Sequence, residues 1–278
     1  MKRLSRSNLL LVAEWRHIQS IHETTELSNP DTLVRNFLPL LRRWQLAWLG
    51  KKKLAILRSD LFYYYLVART RYYDGVFLDA ISNNVKSIIN VGCGTDTRSL
   101  RFEHALKQNC VKVLECDQPE AISSKQRTVQ RSGTFDHITY VSIDLNDEAW
   151  PSFEHWLMTN NREKTLVLME GVSPYVNIES FGRFLSLLAK KLPSGSLVAY
   201  DFKLSGVADD FGRVGRTQRP FRLTGVTEQV VAYHQDLGYR LNYMEHSSEL
   251  STRILRSLAE SAGANFFRED CLVQLEVV

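Results

Sequence analysis

The stretch Ile88-Ile89-Asn90-Val91-Gly92-Cys93-Gly94-Thr95-Asp96-Thr97-Arg98 decides how this chain folds. It joins an apolar run to a turn that contains two glycines. An uninterrupted apolar run of this kind is typical of an interior strand in a parallel sheet. Gly92 and Gly94 would let the backbone pass close beneath a ligand, because glycine carries no Cβ. The stretch therefore predicts a buried strand that ends at a ligand-binding turn.

A carboxylate follows the next apolar run. Asp117 comes directly after residues 111–116, in the sequence Glu115-Cys116-Asp117. In doubly wound folds, an acid at the tip of the second strand, about 20 residues after the glycine turn, binds the hydroxyls of a ribose. Thr97 stands where the third glycine of a dinucleotide fingerprint would be. The pattern therefore favours an adenosyl ligand without a pyrophosphate.

Later strand ends carry further side chains toward the same cleft. Asp144 follows the third apolar run, where its carboxylate could accept a hydrogen bond from an adenine amino group while Leu145 packs on the ring. Glu170 ends the fourth run, and its negative charge suits a cationic amine or a sulfonium. Tyr175 follows one loop later and is our candidate for a catalytic side chain that lines the pocket.

Two arginines precede the first strand, in Ala68-Arg69-Thr70-Arg71. A guanidinium binds a carboxylate through two parallel hydrogen bonds, so one of them could hold the acidic end of a ligand. The other would be a surface charge or a partner for Asp74. The residues themselves leave open which arginine has which role.

Short apolar runs alternate with helical patterns from residue 81 onward. This alternation predicts an α/β fold with a mostly parallel, seven-stranded, Rossmann-like sheet and helices on both faces. The last two runs, 239–244 and 271–278, are neighbours in sequence, which predicts one antiparallel strand at the edge. We expect residues 81–278 to form the binding domain, with a glycine-rich insertion at 204–225 covering the cleft.

Residues 1–80 show only helical periodicity, with apolar faces in 8–21, 32–49 and 54–68. Ser28-Asn29-Pro30-Asp31 breaks the first pattern, and Asp31 is a candidate helix cap. We expect this part to be a helical cap or lid over the cleft. The exposed side of the second helix would carry the basic run Lys51-Lys52-Lys53.

The composition limits the class of protein. The 278 residues include 35 basic and 31 acidic side chains, a net charge of +4 that gives no case for binding nucleic acid. The apolar run near the start is interrupted by charges, and no run approaches the roughly 18 residues that cross a bilayer. We expect a cytoplasmic protein with no membrane partner. The four cysteines have no metal-ligand spacing, so we expect neither zinc nor disulfides.

The motifs carry a family resemblance over residues 65 to 200. In order and spacing, the chain resembles the leucine carboxyl methyltransferase family and its bacterial small-molecule O-methyltransferase relatives. The segments that carry the resemblance are Ala-Arg-Thr at 68–70, Asn-Val-Gly-Cys-Gly-Thr-Asp-Thr-Arg at 90–98, Glu-Cys-Asp-Gln-Pro at 115–119, Asp-Leu-Asn-Asp-Glu-Ala-Trp at 144–150 and Glu-Gly-Val-Ser-Pro-Tyr at 170–175. The middle residue of the turn, Cys93, replaces an alanine common in the family.

The resemblance implies a class I methyltransferase fold that binds S-adenosyl-L-methionine. It places Arg69 on the methionine carboxylate, with Arg71 as the alternative, Gly92 under the methionine and Asp117 on the ribose. Asp144 and Leu145 would lie at the adenine, and Glu170 near the methionine amine. The predicted activity is O-methylation of a carboxyl or hydroxyl group on an acidic or phenolic small molecule, in specialised biosynthesis. Methylation of a protein C-terminal carboxylate and a non-catalytic adenosyl-binding scaffold are the alternatives, and the oligomeric state is open.

Overall fold

One twisted sheet forms the centre of the molecule. The computed structural model describes residues 6–160, 163–207, 219–262 and 265–278. The strands in these residues are β1 Ser87–Val91, β2 Lys112–Asp117, β3 Ile138–Ser142, β4 Thr165–Met169, β5 Leu197–Leu204, β6 Arg222–Leu223, β7 Tyr239–His246 and β8 Asp270–Val277. Their order is β3-β2-β1-β4-β5-β8-β7, and the short β6 pairs only with the end of β5. The predicted mostly parallel sheet is confirmed.

Helices cover both faces of this sheet. Among the described residues they are α1 Arg6–His22, α2 Leu40–Leu57, α3 Leu61–Ser82, α4 Arg98–Arg101, α5 Glu103–Gln108, α6 Pro119–Gln130, α7 Pro151–Asn160, α8 Ile178–Lys191, α9 Thr227–Gln235, α10 Ser247–Ile254 and α11 Arg256–Ala262. β1 and β4 are buried along their whole length, as their continuous apolar sequences predict. No helix in the described part of the chain is long and apolar enough to cross a bilayer.

The antiparallel strand lies one place inside the edge, so the predicted edge position is wrong. β8 pairs antiparallel with both β5 and β7, and β7 forms the edge. The difference follows from burial: most of β8 is buried, whereas most of β7 is only half-buried or exposed. The more apolar of the two strands takes the interior place, where both of its faces are covered.

The helices of residues 1–80 differ from the predicted boundaries. Residues 33–37 form a short 3-10 helix, and α2 begins after Pro39, because a proline disfavours helical backbone in the residue before it. α3 begins at Leu61, after the N-cap residue Asp60, whose side chain accepts from the amide of Phe62, and it continues far beyond residue 68. It packs into one core with β1 and β4. The division of the chain at residue 80 stays a prediction.

Candidate active site

A cavity of about 1150 Å³ opens at the carboxyl ends of the central parallel strands. The ends of β1, β2, β4 and β5 form its floor, and α1 and the loop before α2 cover it. Seven of the eight predicted site residues line it: Arg69, Gly92, Asp117, Asp144, Leu145, Glu170 and Tyr175. The fold thus brings together residues that are up to 106 positions apart in the chain.

Arg71 is the predicted residue that lies elsewhere. It lines a separate shallow depression, and its guanidinium donates to the carbonyls of Thr25 and Ser28 at 3.1 and 3.0 Å. Arg71 therefore holds the segment after α1 in place. Of the two arginines that the sequence left as alternatives, the structure places Arg69 in the cavity.

The glycine turn has the backbone that only glycine adopts easily. Gly92 has a φ of +66° and Gly94 a φ of +38°. A Cβ at Gly92 would lie 2.4 Å from Cγ2 of Val172, well inside van der Waals contact. The turn therefore combines left-handed backbone with a close approach to the loop after β4, and both requirements exclude a side chain.

Replacing Gly92 by alanine is expected to weaken S-adenosyl-L-methionine binding at least tenfold, because both the strained φ and the contact with Val172 would shift the turn. The left-handed conformation alone costs about 1 to 2 kcal/mol for a residue with a Cβ, and 1.4 kcal/mol is about a factor of ten in affinity. Calorimetric titration with the cofactor measures the change. Gly75→Ala in α3 is the matched control, since nothing lies within 4 Å of its Cβ. Equal affinity in both variants would contradict a ligand-binding role for the turn.

Asp117 has two oxygens placed to accept further hydrogen bonds. Oδ2 accepts from the amide of Gly94 at 2.8 Å and Oδ1 from the amide of Gln118 at 2.7 Å. A carboxylate oxygen has two acceptor sites, so one remains on each oxygen. Burial raises the pKa of Asp117 against the effect of these two amides. Two neighbouring hydroxyls of a ribose match this arrangement.

The loop after β3 is held in place by hydrogen bonds. Asp144 accepts from Nε2 of Gln118 at 2.9 Å and from the amide of Asn146 at 2.9 Å. Asn146 in turn donates through Nδ2 to the carbonyl of Tyr175 at 3.2 Å. Leu145 is buried against the core. Tyr175 therefore lies beside the Asp144 loop, to which its backbone carbonyl is bound.

Glu170 lies among three guanidinium groups. Oε1 accepts from Arg16 at 2.5 Å and lies 3.2 Å from Nε of Arg69, and Oε2 lies 2.8 Å from Nη1 of Arg98. Burial alone would raise the pKa of Glu170, but the three positive charges outweigh it and lower that pKa to about 2. Glu170 is therefore ionised at all working pH values. Its charge is largely neutralised by protein groups.

Sequence reasoning missed most of the charged residues around Glu170. Arg98 is 1% exposed and also pairs with Asp74 at 2.8 Å and with Asp96 at 2.6 Å. Arg101 bonds to both oxygens of Asp74. Asp96 and Arg98 both belong to the stretch 88–98. Two opposite charges in one short motif could have indicated this ion pair. The motif at residues 88–98 thus also holds the helix after the turn in place.

A buried ion pair between Lys125 and Glu115 stabilises the glycine turn. Nζ of Lys125 donates to Glu115 at 2.8 Å and to the carbonyl of Cys93 at 3.1 Å. Glu115 also accepts from Ser99 and Asn90. Buried charges of this kind are stable only when paired and hydrogen-bonded, and these are. The backbone of the turn is consequently fixed before any ligand arrives.

More carboxylates lie beyond Arg69, on the side of the cavity away from Asp117. Asp201 accepts from Nη1 of Arg69 at 3.1 Å and from the amide of Gly171 at 2.6 Å. Asp270 lies 3.0 Å from Nζ of Lys203. Burial, reinforced by the charge of Asp201 and opposed by that of Lys203, raises the pKa of Asp270 to about 6.

The arrangement fits the methionine part of S-adenosyl-L-methionine. Nε of Arg16 and Nε of Arg69 are buried, and neither forms a hydrogen bond. Both side chains line the cavity, so their guanidinium groups could contact the carboxylate of a ligand. Together with the acceptors on Asp117 and the fixed loop at Asp144, these donors match the acid, ribose and adenine of the cofactor. α1 carries no sequence motif that identifies Arg16 in advance.

Comparisons with solved structures agree with the fold. A methyltransferase from Thermobifida fusca YX, provisionally named as such, superimposes with a TM-score of 0.57 over 99% of both chains, at 11% identity. Geranyl diphosphate methyltransferase in complex with S-adenosylmethionine gives a TM-score of 0.51, at 12% identity over 82% of this chain and 91% of that chain. These likenesses show a class I methyltransferase fold.

Comparisons of sequence identify the family. A protein of Mycobacterium sp. (strain JLS), provisionally named an S-adenosyl-L-methionine-dependent methyltransferase, is 28% identical over 220 residues, 72% of this chain and 70% of the relative. One of the same name from Mycobacterium tuberculosis (strain ATCC 25618 / H37Rv) is 27% identical over 175 residues, 62% of this chain and 52% of the relative. The family model for leucine carboxyl methyltransferase matches residues 10–189. The chain therefore belongs to the leucine carboxyl methyltransferase family and is an S-adenosyl-L-methionine-dependent methyltransferase.

Proposed function

We propose that this enzyme transfers the methyl group to a carboxyl or hydroxyl oxygen of an acidic or phenolic small molecule, in the biosynthesis of a specialised metabolite. The observation that carries the proposal is the extent of the cavity. At about 1150 Å³ it exceeds the roughly 300 to 1,000 Å³ of a site for one small ligand. It therefore has room for an acceptor beside the cofactor.

The additional space has an apolar and aromatic wall. Trp15 and Phe37 come from the N-terminal part, Phe62 from α3, Phe202 from β5 and Phe267 from the loop before β8. A wall of aromatic rings with a few charged groups is typical of sites for small organic molecules. It favours a small aromatic or partly apolar acceptor over an extended peptide.

The residues of the chain supply position and exclusion of water. In our proposal Arg69 and Arg16 bind the methionine carboxylate, Asp117 the ribose, and Asp144 and Leu145 the adenine. Bound S-adenosyl-L-methionine supplies an electrophilic methyl group. Fixing an acceptor oxygen in line with that group can contribute about 7 to 11 kcal/mol to catalysis. Tyr175 remains our candidate for contact with the reacting groups.

The acceptor side contains a candidate proton acceptor. A carboxylate acceptor is already ionised at neutral pH, whereas a hydroxyl or phenol must lose its proton during the transfer. Asp270 lines the cavity, is 5% exposed, and has a pKa raised to about 6. It could take that proton at neutral pH, which supports a hydroxyl or phenol as the acceptor.

The proposal is tested by methyl transfer from radiolabelled S-adenosyl-L-methionine to matched small acceptors. Phenols and aromatic carboxylic acids are compared with a peptide that ends in a free carboxylate and with its amide. We expect labelled ether or ester from the small molecules and none from either peptide. Label on the free-acid peptide alone would identify a protein carboxyl methyltransferase. Cofactor binding with no transfer to any acceptor would support the scaffold alternative.

The pH dependence separates the two kinds of acceptor. With a hydroxyl or phenol acceptor, the rate is expected to fall about tenfold for each pH unit below about 6, because protonated Asp270 cannot accept the proton. With a carboxylate acceptor this decrease should be missing. In Asp270→Asn the reaction with a phenol should be slow at every pH, and its rate should no longer change near pH 6. An unchanged profile in that variant would exclude Asp270 as the base.

A further inference from the structure

α2 has an unusual charge composition. Its 18 residues contain no aspartate or glutamate. Its basic residues are Arg42, Arg43, Lys51, Lys52 and Lys53. Arg42 pairs with Glu14 of α1, and Arg43 donates to the carbonyl of Leu38, whereas the three lysines are exposed. The C-terminal half of α2 therefore presents uncompensated positive charge to solvent.

The same helix presents large apolar side chains to solvent. Leu41, Trp44 and Trp48 are 72%, 76% and 82% exposed. Their spacing of three and four residues places them on one face of the helix. The opposite face, with Leu46 and Leu54, is buried in the core that α2 shares with α1. Two exposed tryptophans one turn apart are costly in water and indicate a surface with a partner.

Lysines extend this apolar face. Lys51 and Lys52 follow Trp48 by three and four residues, so they lie one turn further along the same side of α2. We call Leu41, Trp44, Trp48, Lys51 and Lys52 the α2 face. Tryptophan has an apolar ring with a polar N–H, a combination enriched where hydrocarbon meets water. Lysines beside such rings contact anionic headgroups.

We propose that the α2 face docks on the surface of an anionic phospholipid membrane. Charge decides between this and a second copy of the chain. In a two-fold dimer the same patch meets its own copy, so four lysines would share one interface with no acidic residue of α2 to pair with them. An anionic lipid surface complements both the apolar rings and the positive charge. The helix would lie in the interface without crossing it, which revises the sequence prediction that no membrane takes part.

The start of α2 adjoins the cavity. Pro39 lines the cavity and directly precedes α2, and Leu40 is 69% exposed. Leu11 of α1 also lines the cavity and is 47% exposed. Exposed apolar side chains thus occur both on the cavity lining and at the start of α2. A docked enzyme would face the membrane with this side of the cavity, and an amphiphilic acceptor could enter from the lipid.

Co-sedimentation of the full chain with lipid vesicles tests the proposal. We expect binding to vesicles of phosphatidylcholine mixed with phosphatidylglycerol, weak binding to phosphatidylcholine alone, and loss of binding at high salt. Changing Lys51 and Lys52 together to glutamine should weaken the partition roughly thirtyfold, at about 1 kcal/mol per lysine. Trp44→Ser combined with Trp48→Ser should weaken binding to the same vesicles at least tenfold.

Lys107→Gln combined with Lys190→Gln is the control, because both lysines are exposed and lie outside the α2 face. It should bind vesicles like the parent protein. The α2 variants should keep the cofactor affinity and melting temperature of the parent, so a failure of the proposed function would leave this test unaffected. No binding of the parent chain to anionic vesicles would overturn the proposal. A dimer in sedimentation velocity that Trp44→Ser and Trp48→Ser dissociate would overturn it in favour of a second copy.

Discussion

Replacing Arg98 by methionine is expected to lower the free energy of unfolding by about 3 to 5 kcal/mol, because it leaves buried carboxylates without their partner. The guanidinium is 1% exposed and lies within 2.8 Å of Asp74, Asp96 and Glu170. For a chain of this size the melting temperature should fall on the order of 10 °C. Denaturant and thermal unfolding measure the change. Cofactor binding should weaken as well, because Arg98 contacts Glu170 at the end of β4, and Glu170 lines the cavity.

Arg240→Met is the matched control for this loss of an arginine. Arg240 pairs with Glu276 at 2.9 Å, but its side chain is 66% exposed. An exposed pair contributes about 0 to 1 kcal/mol, so the control should unfold almost like the parent. If Arg98→Met were no less stable than Arg240→Met, the buried cluster would not hold the fold together.

Replacing Asp117 by alanine is expected to weaken S-adenosyl-L-methionine binding at least a hundredfold. The variant loses two hydrogen bonds from hydroxyls to a carboxylate, each worth about 1.5 to 3 kcal/mol. It also leaves the amides of Gly94 and Gln118 without their acceptor, which loosens the turn. Calorimetric titration of the purified variant with the cofactor measures the change.

Two further variants make the result specific. Asp117→Asn keeps one carbonyl acceptor, so its affinity should lie between that of the parent and that of the alanine variant. Asp136→Ala removes an exposed carboxylate in the turn just before β3 and should bind the cofactor normally. Unaltered binding by Asp117→Ala would show that another group holds the ribose.

Local patterns in the sequence predict the sheet and its ligand-binding edge well. The apolar run 88–91 and the glycines after it suffice to place β1 and its turn, because a buried parallel strand and a left-handed turn each restrict residue type strongly. Asp117 and Asp144 follow as strand-end acids. Each of these predictions depends only on residues that are close together along the chain. Hydrophobic periodicity therefore suffices to locate the strands and the acids at their ends.

Features set by distant contacts could not be predicted in this way. Arg16 lies 154 positions from Glu170, and nothing in α1 separates it from an ordinary surface arginine. Arg69 and Arg71 are two residues apart and equal in chemistry, so only the packing of α3 on the sheet decides which reaches the cavity. The places of β7 and β8 in the sheet likewise depend on the relative burial of the two strands. The order of the strands along the chain gives no information on this burial.

The contact between Arg16 and Glu170 makes the position of α1 and the occupancy of the cofactor site thermodynamically linked. The same guanidinium holds the first helix to the end of β4, and the Arg16 side chain lines the cavity. A carboxylate bound there would add to the forces that hold α1 in place. By reciprocity, whatever holds or displaces α1 changes the cofactor affinity by the same factor. A change in the position of the N-terminal helix should therefore report cofactor binding, and displacing this helix should change the cofactor affinity.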